Sequence, residues 1–370
     1  MDGLTPTEQE TQQLNEIRQQ IDALDEQIQL LITQRALCAQ KVADIKTQGG
    51  RVEAVFYRPE REAQVLRAVR ERNNSLLSDD DMARLFREIM SACLALEQPL
   101  KVAYLGPEGS FTHAATLKQF GSFAQLYPVS TIDEVFKAVE EGEVNYGIVP
   151  VENSTEGVVN ATQDNLIRMS AQVTGELDLA IHHCLLSKST DLKQVKKVVA
   201  HTQALGQCRT WLQNNLPGVE MEAVDSNALA AKLAQQNASL AAIASEQAAV
   251  LYQLRIVKAR IEDKQDNTTK FWVIGKEKPL VSGEDKTALV LSLANKAGAL
   301  HTILESFAKR GISMTRIVSR PSSNKKWDYV FFIDIIGHQL DDKVAEALKE
   351  VEQQAYFFKL LGSYPISPMD

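Results

Sequence analysis

The chain has 370 residues, 44% apolar and 24% charged, with a net charge of −8 and a pI near 5.5. These values suit a soluble globular protein of two or three domains and argue against nucleic acid or an anionic membrane as main partner, since both reward a basic face. No run approaches the ~20 apolar residues that span a bilayer, the first thirteen residues lack a signal-peptide core, and Cys38, Cys93, Cys184 and Cys208 form no CxxC pair, so a reduced, cytoplasmic protein without structural metal is expected.

Residues 8–98 read as an all-helical block. An apolar seam, Leu14, Ile17, Ile21, Leu24, Ile28, Leu31, Cys38, Val42 and Ile45, alternates spacings of three and four, the signature of a long helix with a heptad stripe. That helix should end near Gln48, with Gly49 as left-handed cap. Pro59 suits the first turn of a second helix. Ser78 and Asp81 resemble a capping box for a third, expected to bury Met82, Leu85, Phe86, Ile89, Cys93 and Leu96. From 101 to 277 short β-rich runs (KVAYLG, YGIVPVEN, KKVVAH, MEAVDS, LAAIAS, TKFWVIG) alternate with helical ones such as Ala204–Asn214 and Asn227–Gln236, an α/β pattern. Residues 286–365 read βαββαβ, a ferredoxin-like order.

Arg35 occupies a seam slot where leucine belongs. Burying a lone arginine costs several kcal/mol unless anions compensate. Arg18 and Lys46 each lie one position past a seam residue. Arg35 and Lys46, ~16 Å apart along a straight helix, can close on one small dianion; Arg18 and Lys46, ~42 Å apart, cannot. Spacing alone leaves two readings open: an anion site shared between crossed helices, or a coiled-coil dimer whose one buried polar residue sets register. Arg61-Glu62, in the second helix's first turn, and Glu97, ending the third, favour the first.

In the α/β block, YLGPEGSFTHAA follows a strand and opens a helix, its turn amides suited to an anion. VPVENSTEGVV packs Glu152, Asn153, Ser154, Glu156 and Gly157 just after an apolar strand, where ligands of open sheets bind. Ser226-Asn227 reads as a helix cap. His182-His183 is taken as structural, because neighbouring strand residues face opposite sides and cannot easily share a metal. No cofactor is expected.

Taken together, Arg18, Arg35, Lys46, Arg61-Glu62, YRPERE and ALEQPL resemble the all-helical chorismate mutases, which are intertwined dimers. GPEGSFT, VENSTEG, HTQALGQC and NTTKF, in that order, resemble prephenate dehydratases, and NKAGALHTIL with VSRPS resembles the phenylalanine-binding ACT domain. The resemblance is to bifunctional chorismate mutase–prephenate dehydratases and covers nearly the whole chain. It implies three domains: an all-α mutase (8–98), a two-lobed, periplasmic-binding-protein-like dehydratase (101–277) and a ferredoxin-like ACT domain (286–365). It implies that Arg35 and the partner's Arg18 grip chorismate carboxylates, Lys46 donates to the ether oxygen, Glu62 accepts from the hydroxyl, Arg61 supports, and Glu97 stands where some relatives have a donating Gln. Cys93 replaces a serine of some relatives. It also implies that Thr269 assists loss of the prephenate hydroxyl in a cleft lined by Ser110, Thr112, Glu152, Asn153, Ser154, Asn160, Thr202, Gln203, Lys270 and Phe271. Lys270 stands where the family usually has Arg. Gly298, Ala299, Leu300, Ser319, Arg320 and Pro321 would bind phenylalanine as feedback inhibitor, with Val318 in place of the family's Glu. A homodimer or homotetramer is implied. The competing readings are a catalytically impaired amino-acid sensor and a mutase-only enzyme on the same domains.

Overall fold

The computed structural model describes residues 8–47, 56–189, 191–294, 296–321 and 329–369. The helical block comprises α1 (Glu8–Thr47), α2 (Pro59–Glu71) and α3 (Asp79–Glu97). The expected cap at Gln48 and Gly49 lies outside the described residues. Pro59 opens α2, and Ser78 caps α3 by accepting from the Asp81 amide at 3.1 Å and donating to its carboxylate at 2.7 Å.

The buried face of α3 is not the apolar one that its periodicity suggested. Ala83, Arg87, Ser91 and Cys93 are buried, whereas Leu85 and Leu96 are 54% and 58% exposed. The helix turns its small and polar side against the neighbouring domain. Ser91 and Glu88 accept from the Phe123 and Ser122 amides at 3.3 and 3.0 Å. At Gly121, with φ +73°, any Cβ would sit 2.6 Å from that of Ser91, so glycine permits both the turn and the approach.

The first α/β lobe runs β1 (Lys101–Leu105), α4 (Phe111–Phe120), β2 (Gln125–Val129), α5 (Ile132–Glu141), β3 (Tyr146–Asn153), β4 (Gly157–Val158), α6 (Asn160–Arg168) and β5 (Gln172–Ala180). The chain crosses at 181–183 into a second lobe: β6 (Cys184–Ser187), β7 (Lys197–Ala200), α7 (Thr202–Gln207), α8 (Arg209–Asn215), β8 (Glu220–Ala223), α9 (Asn227–Gln236), β9 (Leu240–Ala244), α10 (Glu246–Leu251) and β10 (Arg255–Lys258). It returns through 259–267 to β11 (Thr268–Gly275). The sheets are ordered β2-β1-β3-β11-β5, with β4 on β3, and β10-β6-β9-β7-β8. Two lobes joined by two crossovers leave a cleft between them. Sequence patterning left β2, β4, β5, β6 and β10 unassigned and read α7 and α8 as one helix. Both β2 and β10 are largely exposed edge strands, where the apolar signal of a strand is weakest.

The third domain comprises β12 (Asp285–Ser292), α11 (Ala299–Ala308), β13 (Met314–Pro321), β14 (Tyr329–Ile336), α12 (Asp342–Gln354) and β15 (Phe357–Pro365), in sheet order β13-β14-β12-β15. Its helices cover one sheet face through Ile303, Phe307, Val344 and Val351. The other face, with Ala288, Val290 and Phe332, shares a core with Trp272, Ile274 and Val173 of the first lobe. Among the described residues no helix is long and apolar enough to cross a membrane.

Candidate active sites

In the helical block the structure gathers Arg35, Lys46 and Glu97. Both cations act electrostatically on the Glu97 carboxyl, but burial outweighs them and its pKa is raised. Lys46 sits over the Phe56 ring at 5.2 Å and donates to the Phe56 carbonyl at 3.5 Å. Cys93, four residues before Glu97, lies one turn back on the same helix and is buried. Arg18 is exposed, far along the unbroken α1. Arg61 is exposed as well.

Glu62 has other neighbours. It accepts from Tyr57 Oη at 3.1 Å and lies 3.2 Å from Nη1 of the buried Arg87. Tyr57 in turn accepts from Gln119 of α4 at 3.3 Å and packs on Phe120 and Tyr146. Burial raises the Glu62 pKa, with Arg87 and Tyr57 opposing. In this chain Glu62 is part of a polar seam between the helical block and the first lobe, not of the Arg35–Lys46–Glu97 group.

The cleft between the lobes has a volume of about 730 Å³. Thr155 and Glu156 line it from the first lobe, His201, Thr202, Gln203 and Gln207 from the second, and Glu262, Lys264 and Asn267 from the returning crossover. Thr269 does not line the cleft itself but is joined to Asn267, which does, through Asn153. Asn153 Nδ2 donates to Thr269 Oγ1 at 2.8 Å and to Asn267 Oδ1 at 2.9 Å. Asn153 Oδ1 accepts from the Thr155 and Glu156 amides at 2.9 and 3.0 Å, so the amide orientation is fixed by four bonds. Ser154 Oγ accepts from the Thr268 amide at 3.0 Å, tying the loop to β11. Gln207, Glu262, Lys264 and Asn267 were missed as site residues. Gln207 and Asn267 stood inside two quoted motifs, HTQALGQC and NTTKF.

Of the residues expected to line the cleft, Thr202 and Gln203 do so directly; among the others, Glu152 and Lys270 face elsewhere for a reason the strand register gives. Thr269 pairs with Asn153 and Leu179, whereas Lys270 pairs with Glu152 and Asp178. Side chains alternate along a strand, so the second set points to the opposite side, toward the third domain. There Glu152 accepts from Arg316 Nε at 2.8 Å. Lys270 lies 3.0 Å from Asp178 and 3.5 Å from Glu176, which also binds Lys286. Lys270 is thus engaged by two carboxylates. Phe271 is a core residue, packed with Tyr57, Phe120 and Tyr146. Ser110 caps α4 by accepting from the His113 amide at 3.2 Å, Thr112 is buried in that helix's first turn, and Asn160 opens α6, exposed. The GPEG turn does not aim all its amides at an anion: Gly109 N–H is given to His113 Nδ1 at 3.1 Å, and its carbonyl accepts from Ser245 of the second lobe at 2.9 Å. His182 and His183 lie in the first crossover rather than in a strand, and no metal-ligand cluster occurs among the described residues.

In the third domain Gly298, with φ +83°, starts α11, followed by Ala299 and Leu300. On β13, Ser319 and Pro321 are exposed. Arg320 instead reaches Asp164 of α6 and stacks over Phe332 at 5.6 Å. Val318 packs into the core shared with the first lobe. Lys359 of β15 donates to the Leu166 and Met169 carbonyls at 2.6 and 2.5 Å, closing the C-terminal end of α6.

A cation-bearing helical block, a two-lobed α/β domain with a cleft and a ferredoxin-like domain thus follow one another along the chain, the architecture of a multidomain protein with two candidate sites. The chain matches the families Chorismate mutase type II over residues 17–98, Prephenate dehydratase over 102–279 and ACT domain over 287–353. It is 51% identical to a bifunctional chorismate mutase/prephenate dehydratase of Pseudomonas aeruginosa, covering 95% of this chain and 98% of the relative. To the corresponding protein of Aquifex aeolicus it is 43% identical over 96% and 98%. Among solved structures, a prephenate dehydratase of Arthrobacter aurescens in complex with L-Phe is 31% identical, with a TM-score of 0.66 over 73% of this chain and 91% of that one. The chain belongs to the bifunctional chorismate mutase/prephenate dehydratase family, an isomerase and a carbon–oxygen lyase in one polypeptide.

Proposed function

We propose that the two reactions occur at the Arg35–Lys46–Glu97 group and at the Asn153–Thr269 pair, and that phenylalanine bound by the ACT domain inhibits the second. Chorismate rearranges to prephenate by a pericyclic shift that needs no covalent help. The protein holds a folded dicarboxylate and stabilises charge on the ether oxygen. Lys46 is a donor to that oxygen, and Glu97, when protonated, is a second. Arg35 and Arg18 of a partner subunit hold the carboxylates. A second copy is called for because the apolar seam of α1 is uncovered: Ile17, Leu24, Ile28 and Leu31 are all more than half exposed. Leu85 and Leu96 of α3 extend the uncovered surface.

For the dehydratase, the bond from Asn153 to Thr269 carries the reading. Thr269 Oγ1 accepts from Asn153, which polarises the hydroxyl and leaves its own proton for the hydroxide leaving prephenate. Loss of carboxylate and hydroxyl is driven by aromatisation, so one well-placed donor suffices. Gln207, Thr202 and Lys264 supply donors and positive charge for the substrate carboxylates. Thr269→Ala is expected to abolish phenylpyruvate formation from prephenate while mutase activity stays within about twofold. Retained dehydration would refute the assignment.

A further inference from the structure

His183 is used by neither site above, yet it sits where the two crossovers meet. Its carbonyl accepts from the Ile261 amide and its amide donates to Glu262 Oε2, both at 2.9 Å. His182 Nδ1 holds the other Glu262 oxygen at 2.8 Å. The His183 ring is 2% exposed and meets the Phe111 ring edge-on at 5.5 Å. Its Nε2 lies 2.7 Å from Gln207 Oε1. A carboxamide oxygen can only accept, so Nε2 carries the proton. Nδ1 is buried and has no partner among the described residues. A lone pair there costs less than an unpaired N–H, which favours the same tautomer. Burial also lowers the ring's pKa, keeping it neutral.

We infer that His183 is a positioning residue of the dehydratase: by donating to Gln207 Oε1 it turns the Gln207 NH2 group toward the cleft, where it meets a carboxylate of the substrate. This rests on the reading that Gln207 binds prephenate. An amide has two faces of opposite polarity. Reversed, Gln207 would present its carbonyl oxygen to a dianion, and like-charged oxygens repel. With Nδ1 protonated instead, Nε2 would accept from the amide and hold it in that wrong orientation. The crossover bonds hold the His183 backbone and Phe111 packs edge-on against its ring, so the selection is built into the crossover between lobes and not into the lobe that carries Gln207.

The experiment uses the full chain and measures kcat and KM for prephenate, with the mutase rate on chorismate as a control for intact protein. His183→Leu is expected to raise KM at least tenfold with kcat changed less than threefold, because a misoriented binding group weakens ground-state and transition-state binding alike. His183→Gln, whose Nε2 reaches the imidazole Nε2 position, is expected to restore KM to within threefold. In a Gln207→Leu background, His183→Leu is expected to add nothing. A wild-type KM in His183→Leu, equal loss in the Leu and Gln variants, or additive effects with Gln207→Leu overturns the inference. If Gln207→Leu alone keeps a wild-type KM, the binding role of Gln207 falls, and the inference falls with it.

Discussion

Glu97 shows how much one side chain's protonation can decide. An ionised carboxylate cannot donate to an ether oxygen, and this carboxyl has its pKa raised by burial against the pull of Lys46 and Arg35. The donating form therefore dominates below that pKa and is lost above it. Mutase kcat/KM is expected to fall as pH rises through the Glu97 pKa, and Glu97→Gln is expected to flatten the profile. A pH–rate series on both proteins decides it; a flat wild-type profile would show that Glu97 does not donate. Thr269 and Asn153 stood out in sequence because their motifs are dense and ordered, and the structure joins them by a hydrogen bond that no local spacing announces. The neighbours of Glu62 were not legible, since Arg87 comes from α3 and Tyr57, which donates to Glu62, is itself held by Gln119 of α4, and no local spacing reveals them.

At the level of elements, β3 and β11 each serve two masters. One side of each carries the hydrogen-bonded Asn153 and Thr269, next to the cleft residue Asn267, and the other carries Glu152 or Lys270 toward the third domain. Sequence alternation shows that a strand has two faces. It does not show which face meets which neighbour when both are covered, so Glu152 and Lys270 were assigned to the wrong side. The same limit explains α3, whose buried side is set by a domain contact. On the far face Asp334 is fully covered, 3.9 Å from Arg316 Nη1, and burial pushes its pKa up to about 6. The folded state therefore binds this proton more tightly than the unfolded chain. That stabilisation is complete below the ordinary Asp pKa and is lost as pH rises through 6. Asp334→Asn, which mimics the protonated form, is expected to match wild type near pH 4 and to be more stable near pH 8 by up to about 3 kcal/mol. Urea unfolding at both pH values measures this; an equal difference at both would mean that the carboxyl is not titrating there.

The ACT sheet also holds α6, the helix that follows the Asn153 loop. Arg316 binds Glu152 before the loop, Arg320 binds Asp164 within α6, and Lys359 closes its end. A shift of β13 would pull on this whole segment, which is how a distant ligand can couple to a cleft. Arg320→Met is expected to leave phenylalanine binding intact by calorimetry and to raise the concentration needed for half-inhibition of the dehydratase by about fivefold or more. An unchanged inhibition curve would remove Arg320 from the coupling route.

On the scale of the whole molecule, the long α1 is the least self-sufficient element. Its heptad seam was plain in the sequence, and within one chain that seam stays uncovered. A 40-residue helix cannot bring Arg18 back to Lys46, so a site using both needs two chains. In a two-fold symmetric dimer each site would then take Arg35 from one subunit and Arg18 from the other. This arrangement makes a definite claim about mixtures. Arg18→Ala and Arg35→Ala are each expected to abolish mutase activity while sparing the dehydratase. When the two variants are unfolded together and refolded, half of the dimers are mixed, and each mixed dimer contains one intact site and one doubly damaged site. About a quarter of the wild-type mutase activity should therefore return. If Arg18 served the site on its own chain, no mixed dimer would hold an intact site and the mixture would stay inactive.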